Sequence, residues 1–239
     1  EQPSGAIGGI SLKQQPIVTL QDAAGNTVTS QKAISVDVDL IDIQASDISR
    51  DAGSLGIFAS QGALSAPARP AVSLFGVAAF SNISVARTGT YSLKFFTFPD
   101  RAQDVGNATV VSEQFAVVAG SAERLALKTM VSGCRIQTAC VTQPVVIVTD
   151  LGGNEVPWPN GGHVAVALVR HPPPRTLLGS LQGDTAGWTA PLEALGRASL
   201  RGIAGDTTGD FVLHVWHIPR SQATDILRPT LSPVFAVTT

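Results

Sequence analysis

The chain says one thing twice. The segment QPIVTLQDAAGN at residues 15–26 returns as QPVVIVTDLGGN at residues 143–154, so that Gln15 maps onto Gln143 at an offset of 128. Gly76, Ala78, Phe80, Ile83, Thr88, Gly89, Tyr91 and Leu93 return as Gly196, Ala198, Leu200, Ile203, Thr208, Gly209, Phe211 and Leu213, at an offset of 120. The triplet that begins at Phe115 keeps that second offset and begins again at Phe235. Two copies of one module therefore fill the sequence, the second eight residues shorter than the first (128 − 120). A repeated module of this size predicts an array that spaces, packs or adheres. We expect a first domain over 1–119 and a second over 120–239.

Composition narrows the functional classes. The 239 residues are 44% hydrophobic and only 14% charged, with a net charge of −2. Two domains of about 120 residues can each bury a modest core on that composition. Nothing basic is concentrated enough to neutralise a phosphate backbone, which argues against a nucleic-acid partner. The longest continuous apolar run, 164–169, is too short to span a bilayer. The sequence opens on Glu1 without a charged and apolar leader, and reads as a mature piece or fragment of something longer.

Two strand-like periodicities carry the fold. Ile34, Val36, Val38 and Leu40 alternate with Ser35, Asp37 and Asp39; in the second copy the inward set becomes Val164, Val166 and Leu168. Tyr91, Leu93 and Phe95 form the inward set of a later strand, matched by Phe211, Leu213 and Val215. Turn residues punctuate these runs at Gly25-Asn26, Gly89, Gly152-Gly153-Asn154, Gly161-Gly162 and Gly209. No long helical stripe appears; the runs near 57–61 and 191–195 are at most one turn each. Strands are expected at 7–13, 16–22, 33–42, 60–66, 76–86, 89–98 and 111–118, with equivalents in the second copy. Seven short alternating strands per copy predict an all-β chain of two tandem immunoglobulin-like β-sandwiches, with another Greek-key sandwich as the alternative. Tyr91 falls where a tyrosine corner belongs, or simply fills core as Phe211 must. Only residues 119–122 are left to link the copies, which suggests a stiff series of domains.

The motif set Ala-Gly-Ser-Ala-x-x-Leu-x-Leu-Lys-Thr at 119–129, Gln-Pro-Val-Val-x-Val-x-Asp-x-x-Gly-Asn-x-Val at 143–156, Gly-x-Ala-x-Phe through Gly-Thr-Tyr-x-Leu at 76–93 and Phe-x-Val at 115–117 resembles the bacterial-type immunoglobulin-like repeats of large surface proteins and invasin-like adhesins. Related units occur in surface proteins of algae and other protists. The resemblance covers nearly the whole chain. It implies a sandwich fold, a role as spacer or binding module, and no shared catalytic residues. Cys134 and Cys140 depart from it, since most such repeats lack cysteine.

Those two cysteines, with five residues between them, are close enough for a local disulfide, worth roughly 2–2.5 kcal/mol for so small a loop. The alternatives are two buried thiols or a metal site, and further ligands for a metal are not obvious. Sequons at Asn82 and Asn107 agree with a disulfide in pointing to an exported, extracellular or cell-surface setting. His163, His171, His214 and His217 match no catalytic or metal spacing, and His214 and His217 point to opposite strand faces. No enzyme motif is present and no cofactor is expected. Asp37, Asp39 and Asp42 lie along one strand, which is a poor calcium site. Asp22 and Asp150 precede Gly-Asn turns and either bind calcium or hydrogen-bond their own backbone. The run His171-Pro-Pro-Pro-Arg175 is extended, as a recognition loop or a rigid crossover.

The outward positions of the second copy stand apart. Ala165, Ala167 and Val169, then Val212, His214, Trp216 and Ile218, then Val234 and Ala236, make an almost wholly apolar sheet face. The first copy has Ser35, Asp37, Asp39, Ser92 and Lys94 there, with Phe96 and Phe98 further along. An apolar face of this kind predicts packing against another protein, either further copies of this chain or neighbouring domains, with Trp216 as anchor. A slipped register or a covering loop would remove it. A carbohydrate- or ligand-binding module is the alternative function, and would use Trp158 and Trp188 as platforms for glycans.

Overall fold

The computed structural model describes residues 1–28, 34–42, 71–73, 75–97, 108–171, 188–220 and 226–239. The chain divides into two compact units, Glu1–Gly120 with Gly152–Asn154 and Ser121–Leu151 with Glu155–Thr239. Among the described residues every regular element is a β-strand. The first unit contains β1 (Ala6–Ile7), β2 (Ile17–Thr19), β3 (Ile34–Asp42), β4 (Ala71–Ser73), β5 (Val77–Ala79), β6 (Gly89–Thr97), β7 (Thr109–Val111) and β8 (Phe115–Val118). The second contains β9 (Arg124–Thr129), β10 (Cys134–Arg135), β11 (Val145–Thr149), β12 (His163–Arg170), β13 (Trp188–Pro191), β14 (Arg197–Ser199), β15 (Gly209–Ile218), β16 (Thr230–Leu231) and β17 (Phe235–Thr238).

Each unit is a two-layer sandwich built to one plan. In the first, the order β1-β8-β6-β3-β4, with β7 also on β6, faces the pair β2-β5. In the second, β10-β17-β15-β12-β13, with β16 on β15, faces β14-β11-β9. The short strand that opens the large sheet runs parallel to the last strand in both, Ala6 beside Val117 and Cys134 beside Val237. Placing the third, sixth and last strands in one sheet, with the second and fifth in the other, is the immunoglobulin-type arrangement.

Alternation decides which side of each strand is core. Val36, Val38, Tyr91, Leu93 and Phe95 are buried together in the first unit, with Leu40 packed against them. Val164, Val166, Phe211, Leu213 and Val215 are buried together in the second, with Leu168 packed against them. Tyr91 is 2% exposed and its ring lies 6.5 Å from that of Phe115, so it serves as a core residue.

Three polar or backbone devices recur at equivalent positions. The Gln15 amide donates to the carbonyls of Leu12 and Ile83 and accepts from the Ile83 N–H. The Gln143 amide does the same with Cys140 and Ile203. Each glutamine thus ties the start of the second strand to the turn beyond the fifth, its neighbour in the small sheet, and back to the chain that leads into it. Gly76 and Gly196 adopt φ of 79° and 76°. A Cβ there would stand 2.3 Å from the Val28 carbonyl oxygen or 2.2 Å from that of Val156, so only glycine fits. Finally, the Ser112 hydroxyl accepts from the Leu93 N–H and donates to Glu113 O, and the Ser232 hydroxyl accepts from Leu213 N–H and donates to Pro233 O.

This serine corrects the expected strand at 111–118, which is broken into β7 and β8 on different stretches of β6. The expected strand at 7–13 is likewise only Ala6–Ile7 followed by an isolated bridge at Ser11, and that at 76–86 stops at Ala79 because Asn82 takes a φ of 60°. β4 at Ala71–Ser73 was not expected. The run near 191–195 is a turn in which the Gly196 N–H donates to Glu193 O, and the expected elements at 57–61 and 60–66 lie outside the described residues. Because Ile203 is fully buried, removing its amide partner leaves a buried N–H unsatisfied. Gln143→Ala is expected to cost the second unit about 2–3 kcal/mol, measured as a lower denaturant midpoint with unchanged slope.

Candidate functional site

The outer face of the second unit's large sheet is set by the pairing of β12 with β15. Its register puts Ala165 opposite Trp216, Ala167 opposite His214 and Val169 opposite Val212. Since the intervening residues of both strands enter the core, these six share the other face. The His214 and Trp216 rings stack with centroids 5.1 Å apart and planes 24° apart. Small residues opposite large rings are covered by them, because opposed side chains in a ladder stand within about 5 Å. Ala165 and Ala167 are 0% and 8% exposed, Val169 and Val212 are also buried, and His214 and Trp216 are partly buried. The open apolar surface is therefore narrower than alternation alone predicts. It comprises the partly exposed rings together with Ile218, Val234, Ala236 and one residue that alternation missed, Leu231. Leu231 lies opposite His214 and is 53% exposed. It joins this face because the break at Ser232 shifts the parity of the last strand by one. The serine repeated at 112 and 232 was the available signal.

The matching face of the first unit is chemically different. Asp37 pairs with Phe96, Asp39 with Lys94 and Ile41 with Ser92, in the register of Ala165 with Trp216, Ala167 with His214 and Val169 with Val212. Asp39 and Lys94 are exposed. The side chains of Ser35 and Asp42, and Phe98 as a whole, lie outside the described residues.

His217 faces inward. It is 6% exposed, its ring meets that of Trp158 edge-on at 5.5 Å, and its Nε2 lies 3.3 Å from Gly161 O. The Trp158 indole N–H donates to that same carbonyl at 2.8 Å. The Nδ1 atoms of His214 and His217 are buried without a hydrogen-bond partner. Burial holds both imidazoles below the usual histidine value of 6.5, with the Gly161 carbonyl partly offsetting this at His217. The unfolded chain therefore binds protons that the folded chain refuses. Stability is complete above about pH 6.5 and falls as the pH drops below it. The unfolding midpoint of the second unit is expected to fall between pH 7.5 and 5.5, and His217→Phe to flatten that dependence in thermal scans.

Trp158 is thus a core residue, 6% exposed, and is not available as a sugar platform. Trp188 packs partly buried against the core with its N–H on Gly202 O. Trp158 therefore does not offer the open ring that the carbohydrate-binding alternative needs, whereas Trp188 keeps part of its ring exposed. His163 and His171 are exposed, the His171 N–H donating to Asp210 O; the prolines after His171 lie outside the described residues.

Cys134 and Cys140 are joined in a disulfide. At the offset of 128 they replace Ala6 and Leu12, which are 5% and 3% exposed in the first core. The bridge therefore substitutes for an apolar pair at the same point of the frame. Cys134→Ala with Cys140→Leu restores that pair, so the second unit should keep its fold and lose only the loop contribution, roughly 2 kcal/mol in equilibrium unfolding.

Asn82 is exposed at a φ of 60°, and its counterpart Gly202 has a φ of 74°. Asparagine is the side chain that best tolerates this left-handed conformation, which accounts for its presence apart from any glycan. Asn107 lies outside the described residues. Asp22 accepts from the N–H groups of Ala24 and Asn26 and from the Asn26 amide, and the Asn26 bonds hold its carboxyl below the usual range. Its oxygens are thereby engaged in a turn, as the backbone reading expected. Asp150 at the equivalent point is fully buried. Among the described residues no three His, Cys, Asp or Glu side chains gather where they could hold a metal ion, and no helix is long and apolar enough to cross a membrane.

No family model and no curated protein sequence matches the chain. Among solved structures it is similar to Escherichia coli alpha-2-macroglobulin activated by porcine elastase, at 12% identity and a TM-score of 0.40, over 100% of this chain and 22% of that one. It is similar to the Yersinia pseudotuberculosis adhesin InvE at 15% identity and a TM-score of 0.31, over 98% of this chain and 56% of that one. It is also similar to the fibronectin(III)-like modules of Clostridium thermocellum CbhA, at 12% identity and a TM-score of 0.26, over 99% and 90%. The chain thus spans about a fifth of the first of these and little more than half of the second.

Proposed function

We propose that this chain is a non-enzymatic, extracellular tandem of immunoglobulin-like repeats, a spacer and packing segment of a larger surface or filament protein. Its partner is protein: further copies of itself or neighbouring domains of the assembly. One observation carries this reading. The two units share their clamp glutamine, their close-approach glycine and their strand-breaking serine, yet differ on the face of the large sheet. A frame retained in duplicate, beside a face that has changed from Asp39 and Lys94 to Ala167 and His214, supports a specialised role for that face. Trp216 and His214 supply a flat aromatic anchor, and Ile218, Leu231 and Val234 supply the exposed apolar surround. Aromatic residues in such a setting dominate protein contacts. The disulfide supports an oxidising location.

Sedimentation velocity at rising protein concentration tests the contact. The chain is expected to self-associate, and Trp216→Glu, on the outer face, to abolish association while the second unit still unfolds cooperatively at a somewhat lower midpoint, whereas Lys94→Glu on the first unit leaves association intact. Association that survives Trp216→Glu, or a chain that stays monomeric at every concentration, defeats self-packing through this face.

A further inference from the structure

Among the described residues the two sandwiches differ in one element of their frames. In the second unit β11 is flanked on both sides, by β14 and by β9. β9 runs antiparallel to β11 with Thr129 beside Val145, Leu127 beside Val146, Ala126 beside Ile147, Leu125 beside Val148 and Arg124 beside Thr149. It closes that side of the sandwich: Leu125 is 1% exposed in the core, Leu127 packs against it, and the Leu125 N–H donates to Arg228 O beside β16. In the first unit the equivalent strand β2 pairs, among the described residues, with β5 alone.

The other edge of β2 has already begun a ladder. The Glu1 amino group donates to Ile17 O at 2.8 Å, and the Ile17 N–H donates to Glu1 O at 3.3 Å. At the offset of 128, Glu1 maps onto Thr129 and Ile17 onto Val145, so this is the first rung of the β9–β11 register. On the β5 side, Pro16 O accepts from Phe80 N–H and Leu20 N–H donates to Gly76 O. Alternation in an antiparallel ladder then turns the N–H and C=O of Thr19 to the open edge. Along this edge lies a cavity of about 440 Å³ lined by Val18, Leu20, Val36, Phe95, Ala108 and Val110 among others. Ala108 is the counterpart of Arg228 at the offset of 120, the residue to which β9 is tied in the second unit.

We propose that the open edge of β2 is a strand-accepting site, and that its occupant is an extended segment of alternating apolar residues that runs directly into Glu1, antiparallel to β2 and in the β9 register. Main-chain bonds to Thr19 supply attachment, and two apolar side chains two residues apart fill the cavity as Leu125 and Leu127 do in the second core. The site belongs to the first unit alone and uses none of the second unit's outer-face residues.

The chain with a copy of residues 120–128 fused directly ahead of Glu1 tests this, since residue 128 falls immediately before the equivalent of Glu1. The fusion is expected to raise the unfolding midpoint of the first unit by about 5 °C or more and to slow hydrogen exchange at the Thr19 amide at least tenfold. A fused copy carrying Leu125→Asp and Leu127→Asp is expected to do neither. An unchanged midpoint with unchanged Thr19 exchange overturns the proposal, as does an equal gain from the Asp-bearing copy. Protection of Thr19 by the same peptide added free, without protection by the fused copy, also overturns it, because the occupant would then enter from elsewhere.

Discussion

Everything in each unit follows from one antiparallel ladder, β3 with β6 in the first and β12 with β15 in the second. These are the longest strands, and their pairing fixes parity. Once Leu213 lies opposite Leu168 and both face inward, His214 and Ala167 have no choice but the other side. A slip of one residue would exchange a core of Val164, Val166, Leu213 and Val215 for a face of alanines, a histidine and a tryptophan. The second sheet, the clamp glutamine and the serine break all register against this ladder. The close-approach glycine does the complementary task of letting the fifth strand's turn sit against the chain that leaves the second strand.

Duplication separates what the frame requires from what the face is free to do. The glutamine clamp ties three backbone groups with one side chain and is retained because each is costly to leave unpaired inside a protein. The apolar pair of Ala6 and Leu12 is retained in function but not in chemistry, since a disulfide occupies the same position in the second unit. The sheet face keeps an aromatic ring at Phe96 and Trp216 and an aliphatic side chain at Ile41 and Val169, but changes chemistry between them. Carboxylates and a lysine on one copy correspond to alanines and a histidine on the other, at identical register positions. The difference between Glu1 and the complete β9 strand is of another kind, a matter of how many rungs of one ladder are made.

The fold was legible because period-two alternation in 34–40, 91–95 and their counterparts is strong, and because the repeat supplies each assignment twice. Strand ends were less legible. Ser112 and Ser232 look like ordinary polar residues within an apolar run; only the hydroxyl that accepts from the neighbouring strand's N–H and donates to the carbonyl of the next residue makes them break points. Their effect on parity is why Leu231 escaped notice. Exposure was the least legible property. Ala165 and Ala167 face outward as alternation requires, yet the rings opposite them in register shield them. Trp158 reads as an available aromatic in sequence, whereas its N–H is satisfied by the neighbouring turn within a buried cluster that includes His217. Side-chain size across a ladder, and turns that fold a ring back over the core, are three-dimensional facts that a periodicity cannot carry.

The parallel pairing of β1 with β8, and of β10 with β17, has a mechanical consequence. A strand near the start of a unit and the strand at its end run side by side in the same direction, so pulling the chain by its two ends slides them past one another. Their bonds are then loaded together and not one after another, as they would be in a hairpin peeled from its open end. In the second unit the sliding strand is also cross-linked at Cys134 to a residue six positions on, which removes most of its slack. In both units, traction on the ends therefore meets a shear-loaded pair of strands.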